Sequence, residues 1–270
     1  MAVLDTIEST RQDLQNRLDS AKTQQERNRL GQYSTPIKLA TDIIRYAKSL
    51  LPASLSVRFL DPAFGTGAFY SALIKTFPPN QIKRAEGYEI DNHYADDAIK
   101  LWAGTPLKLH IRDFTKAQKP QSNEDKFNLI ICNPPYVRHH HLSGSDKQRL
   151  RGLAKKIAQV NLSGLSGLYC YFLCAADVWL AEGGLSGWLI PSEFMDVNYG
   201  REVKEYLLKN VTLLRIHRFN PSDVQFDDAL VSSAIVWFKK DLPPANHAVE
   251  FTFGGRWSNL RSQNLSLRVH

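Results

Sequence analysis

"VRFLDPAFGTGAF", residues 57–69, decides how the rest of the chain is read. Val57, Phe59 and Leu60 make a short apolar run that stops at Asp61, the pattern of a strand ending in an acid. Gly65-Thr66-Gly67 then forms a tight turn, because glycine accepts backbone shapes other residues resist and lets a ligand approach the main chain. Residues 68–76 follow as a helix. A strand, glycine turn and helix at the carboxyl edge of a parallel sheet make a nucleotide-binding position. The turn is neither the GxGxxG of dinucleotide folds nor a phosphate loop ending in Gly-Lys-Ser/Thr. Taken alone, such a turn serves structure about as often as it serves a ligand.

Outward from this stretch the pattern keeps alternating. Strands are expected at 84–90, 107–113, 127–133, 184–191, 211–219 and 231–240, with helices at 94–102 and 169–181. The last two strands have no obvious helix between them. This predicts an α/β fold: a seven-stranded, mainly parallel sheet with one antiparallel edge strand and helices on both faces. Ahead of the sheet, Leu4, Ile7, Leu14 and Leu18 recur at helical spacing. They predict an amphipathic helix within residues 1–30, ended by Gly31. In "STPIKLATDIIRYAKSLL", Ser34 or Thr35 can cap a helix whose first position suits Pro36. The expected divisions are residues 1–30, a main domain over 31–241, and a tail over 242–270 that begins at "LPPANHA".

The chain has 270 residues and a formal charge of +7, a balance that favours an anionic partner such as nucleic acid. Its cysteines, Cys132, Cys170 and Cys174, are odd in number and lack framework spacing, which suggests reduced thiols. Cys170 and Cys174 have no clear second ligand pair and read as core residues rather than zinc ligands. No apolar run approaches membrane-spanning length, and the N-terminus lacks a signal-type core. A cytoplasmic protein is expected, with no metal.

Acids stand at three successive strand ends. After Asp61, "GYEID" ends the second strand with Glu89, Ile90 and Asp91, and Asp113 ends the third, followed by Phe114. A carboxylate at the second position commonly accepts from ribose hydroxyls. Asp113 can accept from an adenine amino group, and Phe114 can pack on the base. Each acid has a plain alternative as a turn or cap residue, but three in one nucleotide-type sheet point to adenosine.

The fourth strand ends in Asn133-Pro134-Pro135-Tyr136. An exocyclic amine on an aromatic ring is a poor nucleophile, because its lone pair is delocalised. Accepting hydrogen bonds from both of its N–H groups pulls the nitrogen toward tetrahedral geometry and frees that pair. Asn133 offers a side-chain carbonyl and Pro134 a backbone carbonyl. The prolines carry no N–H, so the loop is stiff and cannot pair with a neighbouring strand. Tyr136 offers a face on which an extruded base can stack.

With these motifs in order, the chain resembles the adenine-N6 DNA methyltransferases of restriction–modification systems, in particular the TaqI-like group. The resemblance runs from about Gly31 to Lys240. "GQYSTP" is similar to the segment before the first strand, "DPAFGTGAF" to the S-adenosylmethionine loop, "GYEID" and "RDF" to the ribose- and adenine-binding acids, and "NPPY" to the catalytic motif. "LSGLYCYFLCAADVWLAEGG" resembles the next helix, placing Phe172 on cofactor adenine. "VQFDDALVSSAIVWF" resembles a late motif, placing Phe226 on the flipped base. The resemblance implies a class I, Rossmann-like methyltransferase with S-adenosyl-L-methionine as cofactor and double-stranded DNA as partner. It assigns Tyr33, Thr35, Asp61, Ala63, Gly65, Gly67, Glu89, Ile90, Asp113, Phe114, Asn133 and Phe172 to the cofactor. Asn133, Pro134, Pro135, Tyr136 and Phe226 are assigned to the base and its methylation.

NPPY also occurs in methyltransferases acting on cytosine N4, RNA or protein glutamine. RNA or protein-glutamine methylation is therefore the alternative substrate reading, and a non-catalytic DNA-binding subunit the alternative class. After Tyr136, Arg138, Lys147, Arg149, Arg151, Lys155 and Lys156 face one acid, Asp146. Lys147, Arg151 and Lys155 recur every four residues, predicting a basic helix face for phosphates. A solvated face is the plain alternative. His139 to His141 read as solvent- or phosphate-facing. The final 20 residues are too short for a target-recognition domain, so the expectation is that an absent domain or a specificity subunit reads the sequence, or that specificity is low.

Overall fold

The computed structural model describes residues 2–220, 232–254 and 265–268. Three helices come first: α1 (Ala2–Ser20), α2 (Gln24–Leu30) and α3 (Ile37–Leu50). The alternating part follows as β1 (Val57–Asp61), α4 (Ala68–Thr76), β2 (Ile82–Glu89), α5 (Asn92–Leu101), β3 (Leu107–Ile111) and β4 (Phe127–Cys132). Then come α6 (Gly144–Ala158), α7 (Leu168–Ala176), β5 (Leu180–Pro191), α8 (Arg201–Lys209), β6 (Thr212–Phe219), β7 (Ser233–Lys239), β8 (Ala248–Gly254) and β9 (Leu265–Arg268).

The strands form one sheet in the order β3-β2-β1-β4-β5-β7-β6-β8-β9. Side chains alternate across it, as the two-residue repeat of a strand requires. Phe59, Leu129, Leu189 and Trp237 face α3 and α4, while Leu60, Ile130, Trp188 and Val236 face α6, α7 and α8. Buried on both faces, β4 is apolar through most of its length, which is why it read as a continuous run rather than an alternating one.

The α/β class is as expected, but the sheet differs in detail. Among the described residues it has nine strands rather than seven. The antiparallel strand β7 is not at the edge; it lies between β5 and β6 and pairs with both. β8 then adds parallel to β6, and β9 adds antiparallel to β8 at the outer edge. The expected boundary near Leu242 therefore divides no sheet, because the chain beyond it returns to the same one. β-Pairing of this kind depends on a partner strand distant in sequence, which local pattern does not report.

The N-terminal helix also differs. It breaks at Thr23, whose hydroxyl and the Glu26 carboxylate form a reciprocal cap that starts α2. Gly31 ends α2 in the left-handed conformation, as read. The helix expected over 169–181 stops at Ala176. Leu180 already pairs with Phe127, and the next pair is Leu129 with Leu185, so the Gly183–Gly184 segment bulges within β5.

The strand order turns at β1, with β2 on one side and β4 on the other. Crevices at such a reversal, beyond the carboxyl ends of the strands, are where α/β sheets bind ligands. Asp61 ends β1 and Asn133 follows β4, so the two motifs meet there although 72 residues apart by number.

Candidate functional site

A cavity of about 760 Å³ opens at this crevice. Asp61 sits at its base, 1% exposed, and its Oδ1 accepts from the Ala63 N–H at 3.1 Å. Its Oδ2 is buried without a hydrogen-bond partner. Burial first, and then the Glu89 charge, push the Asp61 carboxyl up to about 8 against the Ala63 N–H. A donor or cation entering the cavity would satisfy this oxygen.

Glu89 accepts from the Gly65 N–H and the Asp91 N–H, each at 2.8 Å. These bonds tie the glycine turn to the end of β2 and fix the carboxylate at the cavity wall, where burial raises its pKa. A Cβ on Gly65 would meet nothing within 4 Å, so this turn leaves room above its backbone. Gly67 differs. It does not line the cavity, and its φ of +91° and a Cβ only 2.5 Å from Phe64 give it a packing reason.

At the other end, Asp113 caps a short turn, its Oδ1 accepting from the Thr115 N–H at 2.9 Å and hydroxyl at 2.7 Å. Asp113 Oδ2 faces Arg149 at 3.5 Å. Phe114 and Phe172 lie 5.9 Å apart and both line the cavity. Ile90 also lines it and is 66% exposed. An exposed isoleucine and two buried rings lining one cavity offer apolar surface to a flat ligand group.

Asn133 is built into the wall by the segment before the first strand. Its Nδ2 donates to the Tyr33 carbonyl at 2.9 Å and the Thr35 hydroxyl at 3.1 Å. Both side-chain N–H groups are thereby committed, and a flipped amide would set oxygen against the Tyr33 carbonyl. Oδ1 is left as a buried acceptor without a partner. Thr35 does this instead of capping α3, whose N-terminus at Pro36 has no side-chain cap. Gly31 seats the same loop: its carbonyl accepts from the Tyr136 N–H at 3.0 Å, and a Cβ there would lie 2.3 Å from that nitrogen.

Most residues expected at the cofactor therefore share one cavity: Tyr33, Thr35, Asp61, Ala63, Gly65, Glu89, Ile90, Asp113, Phe114, Asn133 and Phe172. Pro135 lines it too, while Pro134 and Tyr136 do not. Tyr136 is 7% exposed, its ring 5.5 Å from Tyr33 and its hydroxyl donating to the Leu189 carbonyl at 3.1 Å. Phe226 lies outside the described residues.

On the expected basic face Arg151 and Lys155 are exposed and Lys147 is partly buried, with Arg151 also donating to the Leu162 carbonyl. Arg149, off that face, pairs with Asp113 and donates to Thr115. Arg138 and Lys156 are exposed. Sequence reading missed Gln15, Asp19 and Arg149 as lining residues. Arg149 had the signal of an unbalanced charge, whereas α1 had none, because nothing local ties residue 15 to residue 66.

The sheet order and the switch-point cavity are those of the class I S-adenosylmethionine-dependent methyltransferase fold. A Listeria monocytogenes structure described as that class has a TM-score of 0.64 at 17% identity, covering 83% of this chain and 67% of that one. The DrdV–DNA complex gives 0.69 at 18% identity, covering 93% and 30%. Residues 35–225 match the Eco57I restriction-modification methylases, and the chain belongs to that family. The Type II methyltransferase M.AccI of Acinetobacter calcoaceticus is 30% identical over 218 residues, 80% of this chain and 38% of that protein. The chain spans well under half the length of the curated relatives it matches.

The residues fit S-adenosylmethionine. The orphaned Asp61 Oδ2 would face the sulfonium charge, Glu89 would accept from a ribose, and Asp113 with the apolar Ile90 and Phe172 would take an adenine.

Proposed function

We propose that this chain is the catalytic part of a restriction–modification DNA methyltransferase that methylates N6 of an adenine flipped out of double-stranded DNA. The observation that carries the reading is Asn133: its amide is clamped by Tyr33 and Thr35, and its Oδ1 is buried and unpartnered at the cavity wall. An acceptor kept free at that cost is one prepared for an incoming N–H. The match to the methylase family and to M.AccI supports DNA as the substrate class.

S-adenosylmethionine supplies an activated methyl group, so no covalent enzyme intermediate is required. Glu89 and Asp113 would hold the nucleoside part, and Asp61 would face the sulfonium charge. Asn133 Oδ1 and the Pro134 carbonyl accept the two N–H groups of the target amine and free its lone pair. Binding both partners in one rigid crevice aligns donor and acceptor, which supplies the larger part of the rate. The proton leaves after transfer, when the methylated amine has become strongly acidic. Stacking of the base is assigned to Tyr136 and Phe226. The burial of Tyr136 means that only the margin of its ring is open to a base.

A cytoplasmic location is part of the same reading. No described helix is long and apolar enough to cross a membrane. Recognition of a specific site is assigned to a further domain or subunit.

The test uses radiolabelled S-adenosylmethionine with duplex DNA, RNA and protein substrates in parallel, and Asn133→Ala as control. Label recovered as N6-methyladenine and lost in the variant supports the proposal. Label recovered only in cytosine, RNA or protein refutes it.

A further inference from the structure

α1 lies outside residues 35–225 that match the family. It is docked by buried charge as well as by its apolar stripe: Leu18 is buried and Ile7 packs on the core, and Glu8 and Arg11 are 4% and 3% exposed. Their two-bonded pair joins Nε to Oε2 at 3.0 Å and Nη2 to Oε1 at 2.8 Å. Arg11 Nη1 also donates to the Thr66 hydroxyl at 2.9 Å, and the Ser71 hydroxyl donates to Glu8. Thr66 in turn donates to Gln15 Oε1 at 2.5 Å. Thr66 is the residue between the two glycines of the cofactor turn. A buried ion pair is a costly way to attach a helix, and this one grips the turn itself.

One turn further along, Gln15 Nε2 and the Tyr94 hydroxyl both donate to Asp19 Oδ1, at 2.9 and 2.8 Å. Asp19 Oδ2 accepts from none of the described residues. Gln15 and Asp19 line the main cavity. They also line a second one of about 500 Å³, shared with Tyr33, Ser34 and Thr35. On the cofactor reading above, Asp113 would hold the adenine end and Glu89 the ribose, which would set the reacting sulfur beside Asn133. Asp19 shares its wall with Tyr33 and Thr35, which clamp Asn133, so it stands on the methionyl side. The donor there is an ammonium, and a carboxylate with one free oxygen matches it.

We propose that α1 is a wall of the cofactor site, that Asp19 takes the α-ammonium of the methionyl group, and that Arg11 is a positioning residue acting through Thr66. This rests on the cofactor reading above.

The test is calorimetric binding of two probes, S-adenosylhomocysteine and 5′-methylthioadenosine, which lacks the amino-acid end. Asp19→Asn weakens the first about tenfold, the loss of one charge-assisted bond, and leaves the second within about twofold. Equal losses for both probes, or none, overturn the assignment. Hydrogen exchange on the unaltered chain is the second measurement and decides alone if the variant does not fold. Saturating S-adenosylhomocysteine slows exchange along residues 14–20 more than saturating 5′-methylthioadenosine does; equal protection overturns the proposal. Failure of the unaltered chain to bind either probe defeats the cofactor reading itself, whereas normal binding with an indifferent Asp19→Asn defeats only this inference.

Discussion

Thr35→Val tests the clamp on Asn133 directly. Valine keeps the β-branched shape of a residue that is 8% exposed, so packing hardly changes. What is lost is the 3.1 Å acceptor for one N–H of the Asn133 amide. The Tyr33 carbonyl at 2.9 Å remains, and it still disfavours the flipped amide, because two carbonyl oxygens would then face each other. The amide thus stays mostly upright but is less firmly held, with one N–H unmatched. Losing such a bond near a buried donor costs about 1–2 kcal/mol. If that cost falls on the transition state, methyl transfer slows roughly 5- to 30-fold. The assay is single-turnover transfer at saturating cofactor, with calorimetric binding of S-adenosylhomocysteine beside it. Thr35→Ser, which keeps the hydroxyl, stays near the unaltered rate. A Thr35→Val enzyme with an unchanged rate refutes the reasoning. So does a loss confined to cofactor affinity, because Thr35 would then be a ligand contact rather than the support of Asn133.

Gly31→Ala forces a side chain into the left-handed region with a Cβ 2.3 Å from the Tyr136 nitrogen; a loss of about 3 kcal/mol, roughly 6–12 °C in Tm, is expected in thermal melts. Arg11→Met leaves Glu8 buried without its partner and costs about 3–5 kcal/mol by urea unfolding, while replacing both Glu8 and Arg11 by methionine costs less than the single change. Asp61 has its folded pKa raised to about 8 from an unfolded value near 3.8, so its contribution favours the folded state fully below about pH 4 and is lost as pH rises toward and through 8. The ligand-free chain therefore melts progressively lower over that window, and Asp61→Asn flattens the dependence. Because a cationic ligand favours the ionised carboxyl, binding at pH 7 releases a proton, visible as a dependence of the calorimetric heat on buffer ionisation enthalpy; a heat independent of buffer places Asp61 away from the sulfonium charge.

Much of the candidate site was legible because its residues are punctuation. Asp61, Glu89, Asp113 and Asn133 stand where strands stop, and in a parallel sheet all those stops lie on one edge. Gly31 was legible as a helix end, but its second duty, against Tyr136, depends on a contact 105 positions away. The same limit applies to Gly67, which looked like a cofactor residue and instead makes room for Phe64 and Trp102. The helix at α6 was legible from its four-residue spacing, and Arg151 and Lys155 of the expected face are exposed, but the pairing of Arg149 with Asp113 and Thr115 joins another segment, which spacing along α6 cannot show.

By itself, the sequence determined that this is an α/β chain with acids at three successive strand ends and an Asn-Pro-Pro-Tyr loop after the fourth strand. Those features rest on local rules: side-chain period, glycine turns and the missing N–H of proline. Tertiary structure alone decided that β7 lies inside the sheet, that β8 and β9 extend it, and that α1 grips the glycine turn through a buried ion pair. It also decided that Tyr33 and Thr35 leave Asn133 with one free oxygen. Each of these is a hydrogen-bonded pairing between segments far apart in the chain, and such pairings are chosen by the free energy of the whole fold, with no trace in the residues on either side.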